Sequence, residues 1–118
     1  MPLIGRRIAE RFCDEFADMI SGAIADRGGL DPNVVEAAGL AHDLGHPPFG
    51  HIAEYELQDL LEADGLTDSF EGNAQSFRIV TTLSITNLGF GGLDLTRGTL
   101  NAILKYPWLH SERPDIRK

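Results

Sequence analysis

At 118 residues the chain has the size of one small domain, long enough to bury a modest core and too short for a second independent one. Hydrophobic residues at 42% and charged residues at 24% lie near the globular average, which excludes disordered, collagen-like and coiled-coil classes. A formal net charge of -8 repels polyanions, so nucleic acid is not indicated as a partner; a bound cation would still let so acidic a chain hold a phosphorylated small molecule.

The single cysteine, Cys13, has no partner for an internal disulfide and fits a reducing cytoplasm. No apolar run approaches the roughly 20 residues that span a bilayer. The N-terminal stretch, with Arg6, Arg7, Glu10 and Arg11, lacks the apolar centre of a signal peptide. A cytoplasmic protein with no membrane association is expected.

In chain order, apolar residues from Ile4 recur at Ile8, Phe12, Phe16, Ile20 and Ile24, interleaved with Met19 and Ala23, and predict an amphipathic helix to about Asp26. Gly28-Gly29 stops it. Asp31 can cap a second helix over 32–43, with Pro32 at its first position, where no N–H is needed. The run Gly45-His46-Pro47-Pro48-Phe49-Gly50 predicts a stiff loop. Ile52, Tyr55, Leu57, Leu60 and Leu61 place a third helix over 51–63, closed by Gly65.

A fourth helix is predicted over 70–83, its end given some strand character by Val80, Thr81, Thr82, Ile85 and Thr86. After the turn Gly89-Phe90-Gly91-Gly92, Thr96 caps a fifth helix holding Leu100, Ile103 and Leu104 until Pro107. The fold class is therefore all-α, a helical bundle in one domain over 1–118, with 107–118 as a C-terminal tail. The arginines of the first helix, Arg6, Arg7 and Arg11, read as solvated surface.

Of four histidines, His42, His46 and His51 fall within ten residues together with Asp43. A lone histidine is usually structural, but three beside an aspartate around a proline-stiffened loop point to a metal or phosphate site. The i, i+4 spacing of His42 and His46 also occurs in zinc peptidases. Here the intervening acid is Asp43, shorter than glutamate, and Gly45 with Pro47-Pro48 breaks the helix such a site requires. An adjacent His-Asp at a helix end suits a divalent cation that keeps open positions for water and phosphate.

The segment His42-Asp43-Leu44-Gly45-His46-Pro47-Pro48-Phe49-Gly50-His51 resembles the central motif of the HD-superfamily deoxynucleoside triphosphate triphosphohydrolases. Phe70-Glu71-Gly72-Asn73-Ala74-Gln75-Ser76-Phe77-Arg78 resembles that family's next motif. Leu95-Thr96 with Leu104-Lys105-Tyr106-Pro107-Trp108 resembles the one after.

The resemblance implies an all-helical HD-type bundle and hydrolysis of a dNTP, dGTP-like, to deoxynucleoside and tripolyphosphate. It implies His42 and Asp43 as ligands of a divalent metal ion (Mg, Mn or similar), and the pair His51 and Glu54, three apart on one helix face, as catalytic residues. His46, Lys105 and Tyr106 would contact the substrate. Glu71, Asn73 and Gln75 would hydrogen-bond the histidine pair or the phosphates, or equally cap the fourth helix and face solvent.

The resemblance also implies a homo-oligomer. The family's ligand set further includes an upstream histidine and a downstream aspartate without counterparts here, so a chain truncated at both ends is expected. Two alternatives stand beside this reading. One is an inactive helical remnant serving oligomerisation or regulation; the other is an HD phosphohydrolase of different nucleotide specificity, against which the Pro-Pro-Phe-Gly-His and Lys-Tyr-Pro-Trp runs argue.

Overall fold

A computed structural model describes residues 1–67, 70–86 and 89–106, apart from the side chains of residues 23, 24 and 27. The predicted tail over 107–118, including Pro107, Trp108 and His110, lies outside the described residues. Helix α1, Pro2–Glu15, starts with proline at its first turn. It does not continue to residue 26 as one α-helix. Phe16 leaves helical geometry at φ -124° and ψ 32°. Beyond it come a single turn over Ala17–Met19, a π-helical turn over Ile20–Ile24 and a 3-10 turn over Ala25–Arg27. Phe12, Phe16 and Met19 stay exposed, as do Ile4 and Ile8 within α1, so the apolar stripe has little tertiary contact on either side of the break.

Helix α2, Pro32–Ala41, begins as the sequence predicts. The Asp31 carboxylate accepts the Asn33 N–H at 2.8 Å. Helix α2 packs on α1, and Arg6 ties the two. Its guanidinium donates to Glu36 at 2.6 Å, to Asn33 at 2.9 Å and to Glu10 at 2.9 Å. Hydrogen bonding to Glu36, then to Glu10, raises the Arg6 pKa above its ordinary value. Arg6 thus corrects the reading of all three arginines as mere solvated surface. Arg7 and Arg11 pair only within α1 among the described contacts, with Glu10 and Glu15.

Helix α3 spans His51–Ala63, and Gly65 follows in the left-handed region at φ 79°. Helix α4, Gly72–Arg78, is capped by Glu71 and runs on as a π-helical turn over Ile79–Leu83. The expected strand character survives only as an isolated parallel bridge between Ile85 and Gly92. The β-branched run instead falls in the π-helical turn, where the Thr81 hydroxyl donates to the Phe77 carbonyl at 2.8 Å. Thr96 caps helix α5, Arg97–Ile103, by accepting the Thr99 N–H at 3.2 Å.

The core is small. Ala41 at the end of α2, Val80 in the π-helical turn and Ile103 at the end of α5 are buried together. Ala38, Phe77, Leu93, Leu95 and Leu100 pack around them. This cluster lies beneath the loop that follows Ala41 and so supports the candidate site directly. No helix among the described residues is long and apolar enough to cross a membrane. Val80 is 1% exposed, so Val80→Ala should cost about 2 kcal/mol, from lost transfer energy plus a cavity. Urea unfolding measures this against Leu60→Ala on the exposed side of α3, which should stay within about 0.5 kcal/mol of the parent.

Candidate functional site

The His42–His51 segment folds back on itself because its backbone has few options. Helix α2 stops with His42 as its C-cap. Reverse turns follow, closed by Leu44 N–H to Ala41 carbonyl at 3.2 Å, His46 N–H to Asp43 carbonyl at 3.2 Å and Gly50 N–H to Pro47 carbonyl at 3.0 Å. Pro47-Pro48 restricts the centre, and Phe49 at φ 73° and Gly50 at φ 59° turn the chain into α3. The turns gather His42, Asp43, His46 and His51 on one cavity of about 430 Å3, completed by Asn73, Ala102, Ile103 and Lys105.

His42 and Asp43 form an arrangement that a cation completes. His42 Nδ1 lies 2.7 Å from the Gly39 carbonyl oxygen. A carbonyl only accepts, so Nδ1 carries the hydrogen and Nε2 presents its lone pair. Nε2 in turn lies 2.7 Å from Asp43 Oδ2, another lone-pair donor. A proton on Nε2 joins the two atoms as an ion pair; with the ring neutral both offer lone pairs, and that donor set fits a divalent metal ion. Beside them, His46 is 18% exposed, and its Nδ1 is buried without a hydrogen-bond partner among the described residues. Asp43 Oδ1 is 3.6 Å from that atom.

The second half of the site is the pair His51 and Glu54. His51 Nδ1 donates to Glu54 Oε2 at 2.7 Å, which leaves Nε2 as its lone-pair atom. The His51 side chain is 71% exposed and that of Glu54 only 12%. Glu54 is itself held, its Oε1 accepting the Gly72 N–H at 2.8 Å. The His46 and His51 rings meet edge to face with centroids 5.9 Å apart. His46, His51 and Glu54 also present ligand atoms within 4.8 Å of one another and could hold a metal. Both Glu54 oxygens already accept hydrogen bonds there, whereas His42 Nε2 and Asp43 Oδ2 are engaged only with each other among the described contacts.

The remaining residues singled out from the sequence fall into two groups. Asn73 and Lys105 line the cavity; Glu71, Gln75 and Tyr106 do not. Glu71 takes the capping role, accepting from Asn73 N–H at 3.1 Å, Asn73 Nδ2 at 2.7 Å and Ala74 N–H at 2.7 Å. Gln75 is half-buried on α4. The Lys105 ammonium stands 5.2 Å from the centroid of the Tyr106 ring, a cation–π contact at the cavity rim.

Three residues that sequence reasoning passed over hold the site together. Gly45 is buried, its N–H donating to Ser76 Oγ at 2.9 Å, and Ser76 Oγ donates to the His42 carbonyl at 3.1 Å. A Cβ at Gly45 would strike the Ser76 backbone nitrogen and come within 2.5 Å of the Gly72 carbonyl oxygen. A Cβ at Gly72 would strike Glu54 Oε1 and reach 2.8 Å from His46 Cδ2. The available signal was a glycine in each of two motifs, a pairing that close backbone approach explains. A second, apolar groove on α1, lined by Leu3, Ile4, Arg7, Ile8 and Arg11, gathers no comparable set of polar groups.

The sequence model of the family described as HD domain matches residues 5–87. A deoxyguanosinetriphosphate triphosphohydrolase-like protein of Streptomyces coelicolor is 52% identical over 91 residues, covering 75% of this chain and 21% of that protein. Proteins of the same name from Corynebacterium efficiens and Wolinella succinogenes are 51% and 46% identical, over 74% and 78% of this chain and 20% and 26% of their own lengths. The chain thus spans about a fifth to a quarter of the curated relatives it matches.

The close approach at Gly45 sets a measurable expectation. Gly45→Ala forces a methyl against backbone rather than a movable side chain and should destabilise the chain by about 3 kcal/mol. Gly22→Ala, whose Cβ meets nothing within 4 Å, should not destabilise. Thermal unfolding of the two variants reads the difference.

Proposed function

The chain belongs to the HD domain family, and on that premise we propose that it carries the catalytic centre of a metal-dependent phosphohydrolase. Its substrate would be a dNTP, dGTP-like, cleaved to deoxynucleoside and tripolyphosphate. The observation that carries this reading is the cavity where His42 Nε2 and Asp43 Oδ2, 2.7 Å apart, stand beside the His51–Glu54 pair. The names of relatives at about 50% identity support the substrate class.

In this reading His42 and Asp43 hold a divalent cation, Mg, Mn or similar. When bound, the cation offsets charge on the phosphates and makes a coordinated water more acidic. Lys105 supplies a fixed positive charge at the cavity wall for the phosphate chain, in a protein whose net charge of -8 otherwise repels it. His46 and Asn73 offer hydrogen bonds to phosphate from the same wall, and Tyr106 beside Lys105 offers a ring to the sugar or base. Glu71 acts on this site from the N-cap of α4, by fixing the helix start next to Asn73, whereas Gln75 stands on α4 outside the cavity lining.

His51 is the group that handles protons. Glu54 accepts from its Nδ1, which fixes the tautomer and leaves Nε2 to hold or move a proton during in-line attack at the α-phosphorus. Glu54 is a positioning carboxylate in this scheme. Gly72 N–H and the His51 ring hold it from two sides, so it is oriented before substrate arrives. The same reading places the enzyme in the cytoplasm as a homo-oligomer.

His42→Ala and Asp43→Ala should each abolish Mn2+ binding in titration calorimetry, while His51→Ala and Glu54→Gln retain it. In a tripolyphosphate-release assay with dGTP, His51→Ala should lower turnover by roughly 10²–10⁴-fold. The 118-residue chain by itself should turn over slowly, because His42 and Asp43 supply only two protein ligands to the cation. Mn2+ binding that survives both His42→Ala and Asp43→Ala sinks the proposed ligand pair.

A further inference from the structure

Ser76 lies inside α4, 1% exposed, with no access to the cavity that the proposed chemistry uses. Its hydroxyl nevertheless spends both its capacities on the metal-site turn, donating to the His42 carbonyl at 3.1 Å and accepting the Gly45 N–H at 2.9 Å. Those two groups bracket Asp43. The His42 carbonyl belongs to the residue that ends α2, where backbone carbonyls lose their helical partners, and Gly45 is the next buried backbone point. Between them no other side-chain hydrogen bond to the backbone of residues 42–45 is present among the described residues.

The bond pattern selects the residue type. A hydroxyl can donate and accept at once within one small volume. Alanine does neither, and cysteine fills the space while hydrogen-bonding weakly. The backbone of Gly45 also presses so closely on that of Gly72, Gln75 and Ser76 that a side chain at 45 has no room, which fixes the register between the turn and α4. Gly72, four residues before Ser76 on the same helix face, makes the matching contact to Glu54. One face of α4 therefore touches both halves of the site, through Ser76 to the His42–Asp43 side and through Gly72 to the His51–Glu54 side.

We propose that Ser76 is a positioning residue for metal binding: its hydroxyl fixes the turn between His42 and Gly45, and so sets the side chains of His42 and Asp43 for one cation. This rests on His42 and Asp43 being the metal ligands. Removing the hydroxyl lets the turn relax, and the two donor atoms lose their common target without being altered themselves.

The test is Mn2+ affinity by titration calorimetry on the full 118-residue chain, with the folded fraction checked by thermal unfolding. Ser76→Ala and Ser76→Cys should each weaken Mn2+ binding by about tenfold or more, the usual scale for an outer-shell partner of a metal site. Asp31→Ala, which uncaps the far end of α2, should lower stability yet keep Mn2+ affinity within about twofold of the parent. If Ser76→Ala does not fold, Ser76→Cys carries the comparison, since it keeps the packed volume.

Parent-like affinity in Ser76→Cys overturns the proposal, because packing alone would then suffice. An equal loss in Asp31→Ala overturns it too, because global stability would then be the cause. A parent that binds no Mn2+ brings it down together with the ligand assignment, and that result is distinct from the other two, in which the parent binds.

Discussion

The arrangement of this chain depends on the contact between one face of α4 and the two segments on either side of the Pro-Pro loop. Ser76 bonds the turn after α2, and the Gly72 N–H bonds Glu54 on α3. These are polar bonds in a largely buried place, where leaving a backbone carbonyl or N–H unpaired costs about 1–3 kcal/mol each. That penalty makes the contact selective. A shift of α4 by a residue would leave the His42 carbonyl and the Gly45 N–H orphaned together and press side chains into the space that Gly45 and Gly72 keep empty. Apolar packing would tolerate such a shift more readily, since it has no direction.

The electrostatics of the site follow from the same framework. The turn brings Asp43 between His42 and His46, and α3 brings Glu54 beneath His46 and His51. Two carboxylates among three imidazoles form a nest of lone pairs in a chain already carrying -8. Among the described residues lining the cavity, Lys105 alone bears a permanent positive charge. A triphosphate could not settle against such a wall unless a cation inverted the local field. On the proposed function, a metal would therefore serve substrate binding as well as chemistry, and it would explain how so acidic a chain could take a polyanionic substrate.

Features set by local chemistry were legible in the sequence. Asp31 and Thr96 cap the helices expected of them, and the third helix has the bounds its periodicity predicts, because those signals act within a few residues. The His-Asp cluster was legible because its members are close in sequence and the prolines leave them one way to fold. Features set by tertiary contact were not. The four-residue apolar step from Ile4 runs unbroken through Phe16, yet the α-helix breaks there, a change of backbone geometry that the periodicity does not register. Arg6 looks like any helix-surface arginine until α2 brings Glu36 to it. Ser76 carries no sign, in a polar stretch of helix, that it is the most enclosed polar residue of the chain's described part.

Stability and site geometry cannot be separated in a chain with so small a core. Ala41 immediately precedes the proposed ligand pair, Ile103 lines the cavity, and Val80 is one of the largest fully buried side chains. In a larger protein a core residue and a site residue are usually insulated by several packed layers, so that loss of a methyl group is absorbed before it reaches the chemistry. Here one layer separates them, and α2, α4 and α5 each contribute to both. A cavity opened at Val80 would therefore loosen the end of α2 and with it the backbone that Ser76 holds. Conversely, a cation bridging His42 and Asp43 would brace the end of α2 against that core, since any ligand that binds only the folded chain raises its stability.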